Sequence, residues 1–210
     1  MRLTAANEAI RSANVSASEV GALLGPHPYA TPEGIWDRLC SPFALERVTS
    51  EAMDTGSFME AAILRLAERR LGFRARQNAR TFAHKRSRLC ATPDAFVLGQ
   101  RPPGLVEIKL SGRPDIWPHA GPVPEHVRWQ VIAQLACTNR QTAAVCVFLG
   151  AGLRTYLIER DRAEEDRMLA AVDAFWRDHI VARVRPMPVA PVQTFSFDAD
   201  PIREKEGASA

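Results

Sequence analysis

The run Leu105-Val-Glu-Ile-Lys-Leu110 constrains this chain more than any other six residues. Leu105, Val106, Ile108 and Leu110 make it an apolar strand that is expected to be buried, yet it carries Glu107 and Lys109. Residues two apart on a strand share a face, so the two charges stand side by side. Burying an unpaired carboxylate or ammonium is costly. A fold that buries this strand must give the charges each other, a metal, or both.

A second acid lies just upstream. Thr92-Pro93-Asp94-Ala95 leads into Ala95-Phe96-Val97-Leu98, which reads as a short strand. Gly99-Gln-Arg-Pro-Pro-Gly104 reads as the turn that follows it. If the two strands pair as a hairpin, opposed residues share a face. A register that sets 94 opposite 107, or one that sets 94 opposite 109, brings Asp94 beside the pair. Asp94 and Glu107 would then converge as oxygen ligands for a hard cation such as Mg²⁺, with Lys109 placed to orient and activate a water. The competing reading is a strand-end Asp and a surface Glu/Lys pair, because Glu-x-Lys is a common pattern.

A third acid belongs to residues 57–71, which read as a helix closed by Gly72. At about 100° per residue, Met59, Ile63, Leu64, Leu66, Ala67 and Leu71 form one apolar arc. Arg65, Glu68 and Arg69 lie opposite. Glu60 falls inside the arc, close in angle to Leu64, Ala67 and Leu71, and an inward acid needs a partner. Arg70 or a backbone group could serve. With Asp94 and Glu107 in view, the expectation is that Glu60 joins the same metal.

The remainder of the chain reads as one domain over 1–185. A length of 210 residues, 46% of them hydrophobic and 24% charged, suits a single core that buries roughly 70% of the unfolded surface. A helical region to about 72 precedes a strand-rich segment over 73–110. Residues 111–125, with four prolines, form a loop. His126–Thr138 follows as a helix with Gln130 and Gln134 on one face. Strands over 143–149 and 154–158 and a last helix from 162 to about 180 complete an α/β (α+β) fold, a mixed central sheet flanked by helices. Pro186, Pro188, Pro191 and Pro201 mark an extended tail over 186–210, expected to be mobile.

Composition narrows the classes. No run is long enough to span a membrane and no signal-peptide core opens the chain, so a cytoplasmic location is expected. Cys40, Cys90, Cys137 and Cys146 include no Cys-x-x-Cys, which leaves free thiols rather than zinc or a disulfide framework. His84, His119, His126 and His179 share no metal-ligand spacing. Trp117 in the proline loop could stack on a base, although packing is the simpler role; Trp36, Trp129 and Trp176 read as core. Net charge is only +3, yet residues 65–88 hold nine basic side chains and a single acid, Glu68. Such a stretch either tracks phosphates or forms a solvated face in an arginine-rich chain.

The order Glu60, Asp94, Glu107-x-Lys109 and then Trp129-Gln-Val-Ile-Ala-Gln134 resembles the PD-(D/E)XK nuclease superfamily. Within it, the chain resembles the YqaJ-type phage recombinases, the lambda exonuclease family. Arg11-Ser-Ala-Asn-Val-Ser-Ala-Ser18-Glu-Val-Gly-Ala-Leu-Leu-Gly25 is similar to that family's opening helix, and Tyr29-Ala-Thr-Pro-Glu-Gly-Ile-Trp36 to its continuation. Thr155-Tyr-Leu-Ile-Glu-Arg-Asp161 is similar to a late strand that enters the final helix. The likeness spans roughly residues 10–180.

That resemblance implies a restriction-endonuclease-like core and a metal-dependent DNA exonuclease, 5′→3′ on linear double-stranded DNA, serving phage-type homologous recombination. It implies Mg²⁺, with Mn²⁺ as a substitute, held by Glu60, Asp94, Glu107 and the Ile108 carbonyl. Lys109 is implied as the catalytic lysine and Gln130 as a helix residue facing the site. Arg11, Ser18 and Thr92 match positions that hold a 5′-terminal phosphate. A ring-shaped homotrimer, a single-strand annealing protein as partner and a phage or prophage origin are also implied. The chain departs from the family's Ser-Pro-Asp-Gly by Thr92-Pro-Asp-Ala95. It also has Ile132 where a glutamine is frequent, so Gln130 or Gln134 would have to make that contact. The alternatives are a PD-(D/E)XK endonuclease with no 5′-end pocket and a DNA-binding recombination module that no longer turns over.

Overall fold

The computed structural model describes residues 4–40, 51–99, 104–150 and 152–189. In chain order they form α1 (Ala5–Ser12), β1 (Val15–Ser16), α2 (Pro32–Cys40), α3 (Glu51–Leu71), β2 (Arg74–Gln77), β3 (Phe82–Ala83) and β4 (Leu89–Ala91). Then follow β5 (Ala95–Leu98), β6 (Gly104–Leu110), α4 (Glu125–Thr138), β7 (Thr142–Phe148), β8 (Leu153–Glu159) and α5 (Arg162–Phe175). The apolar strand with its two charges is β6, and it takes the middle of a five-stranded sheet ordered β2-β5-β6-β7-β8. β5 runs antiparallel to it, with Ala95 opposite Val106 and Phe96 opposite Leu105. β7 runs parallel to it, from Gly104 opposite Thr142 to Leu110 opposite Phe148. A parallel neighbour demands a crossover, and α4 supplies it.

The alternation of β6 sorts its residues between two helices. Leu105 packs with Val127, Val131 and Leu135 of α4. Val106 and Ile108 pack with Ile63, Leu64 and Ala67 of α3. The odd-numbered face, which carries Glu107 and Lys109, therefore lies against α4. α4 is enclosed on its other side as well. Trp129, Ile132, Ala133 and Ala136 pack with Val15, Val20 and Leu89 and with Met168, Val172 and Phe175 of α5. A helix buried between two layers is apolar all round, and its few polar side chains must find partners inside. Its end is set by Asn139 at φ 53°, the left-handed conformation that asparagine tolerates at a helix C-terminus.

A second, three-stranded sheet is ordered β1-β4-β3. β1 runs parallel to β4, Val15 opposite Leu89 and Ser16 opposite Cys90, and β3 runs antiparallel to it. These two-residue strands lie where helix was expected (β1) and within the strand-rich segment (β3).

Other expectations need adjustment. α3 begins at Glu51 rather than Ser57, and its buried stripe is narrower than the predicted arc. Leu66 and Leu71 are 40% and 44% exposed, while Ile63, Leu64 and Ala67 are buried. The reason is geometric: a helix laid on a sheet covers one narrow strip of it. Arg70 donates to the Leu153 carbonyl and not to Glu60. The last helix stops at Phe175 and continues as a π-turn over Trp176–Val181. Trp117 is buried at 3% exposure in the core between α4 and the sheet, so its role is packing. Trp129 is core too, whereas Trp36 and Trp176 are half-buried. The four cysteines are free. Among the described residues no helix is long and apolar enough to cross a membrane. The turn at 100–103 and the tail beyond 189 lie outside the described residues.

One buried ion pair pins the β8–α5 corner. Arg160 Nε and Nη2 donate to Glu165 Oε2 and Oε1 at 2.6 and 2.8 Å, and Arg160 Nη1 reaches Asn139 Oδ1 at 2.8 Å. Both side chains are nearly inaccessible, at 5% and 6% exposure. Burial alone would push the Glu165 carboxyl up, but hydrogen bonding and charge from Arg160, with Arg162, bring it below its ordinary value. A carboxyl depressed in the folded state stabilises the protein above its unfolded pKa and loses that contribution as pH falls through the folded one. Glu165→Ala is accordingly expected to cost roughly 3–5 kcal/mol in urea unfolding at neutral pH. The gap from wild type should close at pH values under the ordinary glutamate range, about 4.3.

Candidate active site

Glu107 is 2% exposed, so it is no surface residue. Its carboxylate is met from two directions. Across the face it shares with α4, Gln130 Nε2 donates to Oε1 at 2.6 Å and Gln134 Nε2 to Oε2 at 2.5 Å. Spacing of i,i+4 lets one helix serve both oxygens. Along its own strand, Lys109 Nζ lies 2.6 Å from Oε1 and also donates to Gln130 Oε1 at 2.9 Å. Gln134 Oε1 is buried with no partner among the described residues. A flipped amide would aim that oxygen at the carboxylate, so Glu107 dictates the orientation.

Asp94 arrives through the β5–β6 register. Continuing the pairing of 95 with 106 by one residue sets 94 opposite 107, the first of the two registers that the sequence allows. Asp94 Oδ2 accepts the Ile108 N–H at 2.6 Å. Its own carbonyl accepts from Asn78 N at 2.8 Å, and Asn78 Nδ2 donates to the Pro93 carbonyl at 2.8 Å, so the bend before β5 is held on both sides. Burial and then the Glu107 charge push the Asp94 carboxyl well above the ordinary range, against Lys109 and the Ile108 N–H. Lys109 is raised too: burial would lower it, but Glu107, Asp94 and Glu60 outweigh that and hold its proton more firmly.

Glu60 is half-buried on α3, which covers the opposite face of β6 from Glu107. Burial first, and Glu107 in addition, raise its carboxyl. Three carboxylates thus act on one lysine, a surplus of negative charge in a site of low polarity. The donor set is oxygen only, which suits a hard cation such as Mg²⁺, and the raised proton affinity of Asp94 marks the place where positive charge is short. No three His, Cys, Asp or Glu side chains among the described residues are gathered as a ready-made cage. The Glu107 oxygens are engaged by Lys109 and the two glutamines instead.

Ser18 and Thr92 each follow a strand of the small sheet. Ser16 lies opposite Cys90, and each chain reaches its hydroxyl two residues further on, at the same end of the pair. Ser18 Oγ is 3.1 Å from Ser16 Oγ, and Thr92 Oγ1 is 2.9 Å from Thr81 Oγ1. Arg11 sits on the adjoining α1, where its carbonyl accepts from Arg38 Nη1 at 2.7 Å; Arg38 also clamps Glu19 at 2.8 and 2.7 Å. Ser18 joins Lys109 and Gln130 in the lining of one cleft of about 510 Å³. All nine basic side chains between Arg65 and Arg88 are exposed.

Sequence reading passed over one group. His126 lies 5.3 Å from His27 and 6.1 Å from Tyr29, centroid to centroid, beside Lys109 in the same cleft. These residues come from segments about a hundred positions apart, so linear spacing carries no trace of them. Both glutamines of α4 serve Glu107, while Ile132 turns into the core at 3% exposure.

Residues 8–141 match the profile of the YqaJ-like viral recombinase domain. Two crystal structures of LHK-Exo, an alkaline exonuclease from Laribacter hongkongensis, one of them in complex with dAMP, share the fold. Both are 22% identical to this chain, with TM-scores of 0.69 and 0.68, and the match covers 86% of this chain and 94% of theirs. A phage related exonuclease from Haemophilus somnus 129PT is 13% identical, with a TM-score of 0.57 over 81% of this chain and 96% of its own. No curated protein sequence matches. At these identities the likeness is one of fold, and it agrees with the restriction-endonuclease-like core expected from the sequence.

A carboxyl whose folded pKa is raised holds its proton more tightly folded than unfolded, so its ionisation costs stability once pH passes the ordinary aspartate range. Asp94→Asn removes that charge and keeps an acceptor for Ile108. In chelator at pH 8 the variant should be more stable than wild type by roughly 0.5–2 kcal/mol, an advantage that disappears below about pH 3.9. Added Mg²⁺ should raise the melting temperature of wild type and leave that of the variant in place; calorimetry reads both.

Proposed function

The chain belongs to the YqaJ-like viral recombinase domain family, and from that premise we propose that it is a nuclease of phage-type homologous recombination. In this reading it is a metal-dependent exonuclease that degrades linear double-stranded DNA in the 5′→3′ direction. The observation that carries it is the buried Glu107–Lys109 pair, wired to Gln130 and Gln134 and set beside Asp94. A strand built only for stability would hold apolar residues at those two positions, since a well-packed apolar pair is often as stable as a buried ion pair.

Glu60, Asp94, Glu107 and the Ile108 carbonyl would hold the cation, Mg²⁺ or in its place Mn²⁺. Bound there, it would lower the pKa of the attacking water and stabilise the charge that develops on the phosphate. The rest of the chemistry belongs to the protein. Lys109 keeps its proton because acids surround it, so it acts as a fixed donor that orients the water and neutralises charge in the transition state. Gln130, donating to Glu107 and accepting from Lys109, holds the two at a fixed separation. Ser18, Thr92 and Arg11 would receive the 5′-terminal phosphate through two hydroxyls and a guanidinium. The exposed arginines and lysine between 65 and 88 would follow the duplex backbone. The family resemblance extends the proposal to a homotrimer around the duplex and to a single-strand annealing protein as partner.

End-labelled linear duplex digested beside closed circular DNA, with Mg²⁺ or with EDTA, tests the reading. Wild type should shorten 5′-phosphorylated linear DNA only with the metal and leave circles intact. Lys109→Ala should slow the reaction by roughly 10²–10³-fold. Cutting of circles would make the protein an endonuclease, and DNA binding with no hydrolysis under any metal would make it a binding module. Arg11→Ala should erase the preference for 5′-phosphorylated over 5′-hydroxyl ends; an unchanged preference would remove the end pocket from the proposal.

A further inference from the structure

The cleft above Lys109 has a charged floor and an aromatic wall. Lys109 and Gln130 form the floor with Ser18 beside them, and His27, Tyr29 and His126 make the wall. His27 is buried at 8% exposure. Its ring rests against Gly21, where an added Cβ would lie 3.1 Å from His27 Cδ2 and 3.4 Å from the His126 Cα. No larger residue fits there without moving the wall. His27 Nδ1 accepts the Tyr29 N–H at 3.1 Å, which leaves Nε2 to carry the proton of the neutral ring. His126 meets His27 edge to face, with centroids 5.3 Å apart and planes at 72°. Tyr29 stands edge-on to both rings, at 6.3 and 6.1 Å.

Tyr29 is nevertheless 82% exposed. A lone exposed tyrosine would need no explanation. This one stands beside two rings in the lining of a cleft that also holds the site's lysine, and its face is open. The wall is also uncharged at neutral pH. Burial, then His27 and Lys109, lower His126 to about 4, and burial lowers His27 as well. Glu19, the acid of the cleft, is occupied by Arg38. Lys109 Nζ and the Ser18 hydroxyl at the bottom offer donors to a phosphate, and a neutral aromatic face at the mouth suits a nucleobase.

The geometry points to the Tyr29 ring as the platform on which the base of the terminal nucleotide stacks while its 5′-phosphate lies at Ser18 and the phosphodiester to be cut lies over Lys109. The inference rests on the nuclease reading and deepens it by naming what grips the end. Every base offers a π-face, so such a platform would hold the end of any sequence.

The test uses the full chain in EDTA and a duplex with 2-aminopurine as its 5′-terminal nucleotide and a dye at the far end. Dye anisotropy reports binding, and 2-aminopurine emission reports stacking of the terminal base. Wild type should bind and alter the 2-aminopurine signal, and Tyr29→Trp should do the same. Tyr29→Ala should bind roughly 5- to 100-fold more weakly and leave the signal of the bound duplex unaltered. On a duplex whose terminal position is abasic, wild type and Tyr29→Ala should bind alike. Wild-type binding without a 2-aminopurine response, or equal losses for Tyr29→Ala on intact and abasic ends, would overturn the platform and leave the nuclease reading standing. No binding to any duplex would overturn the platform, and the nuclease reading would then be decided by the digestion with Mg²⁺.

Discussion

The architecture turns on holding one carboxylate, that of Glu107, in the interior. Removing a carboxylate from water costs several kcal/mol even after relaxation, on the order of what a whole domain has in reserve. Glu107 is offset by Gln130, Gln134 and Lys109, all within 2.6 Å of its oxygens. Those contacts exist only if α4 lies over the odd-numbered face of β6 with the right rotation about its axis. That rotation is fixed from both sides. Val127, Val131 and Leu135 enter the core of the main sheet, and Trp129, Ile132 and Ala133 enter the core beneath α5 and the small sheet. The two hydrophobic cores thus act as the jig that holds two amides against one acid.

Acids of this fold differ in direction for a physical reason that separates structure from chemistry. Glu165 is depressed because a bidentate arginine faces it. Asp94 is raised because, after burial, its strongest neighbour is another carboxylate. An arginine beside Asp94 would relieve the repulsion and make the fold more stable, but it would occupy the space that the cation of the proposed function would take. Sites that gather like charges are stabilised elsewhere, and the Arg160–Glu165–Asn139 corner, at the far end of β8, is one such place.

What could be read in the sequence was what local periodicity governs. Period-2 alternation places Glu107 and Lys109 on one face, hairpin pairing brings Asp94 beside them in either of two registers, of which the structure adopts the one opposite Glu107, and i,i+4 spacing puts Gln130 and Gln134 on a common face. The misreadings arise where distant contacts decide. Leu66 and Leu71 belong to the apolar arc of α3 by angle, but the sheet covers only the Ile63–Leu64–Ala67 stripe. β1 and β3 are two residues each and exist through pairing with β4, which no local propensity encodes. Glu60 was assigned inward correctly to the extent that it is half-buried and coupled to Glu107, yet α3 approaches from the opposite face of β6. The His27–Tyr29–His126 group depends wholly on the 3₁₀ turn at Val20–Leu23 packing against the start of α4, and Gly21 is its one local trace.

Lys109 ties the two halves of the cleft together. The acids beneath it hold its proton, and its charge in turn helps keep His126 neutral above it. Lys109 is thus the donor of the floor and, after burial and His27, a contributor to the neutrality of His126. Through the neutral pH range neither Lys109 nor His126 changes its charge, so the polarity of the cleft is constant where a phosphate and a base would need to be told apart. Burial first, and then the charge of neighbouring carboxylates, raises Asp94 and Glu60 below. In the function proposed above, a bound cation would neutralise that repulsion, which would account for acids that approach β6 from both of its faces around a single lysine.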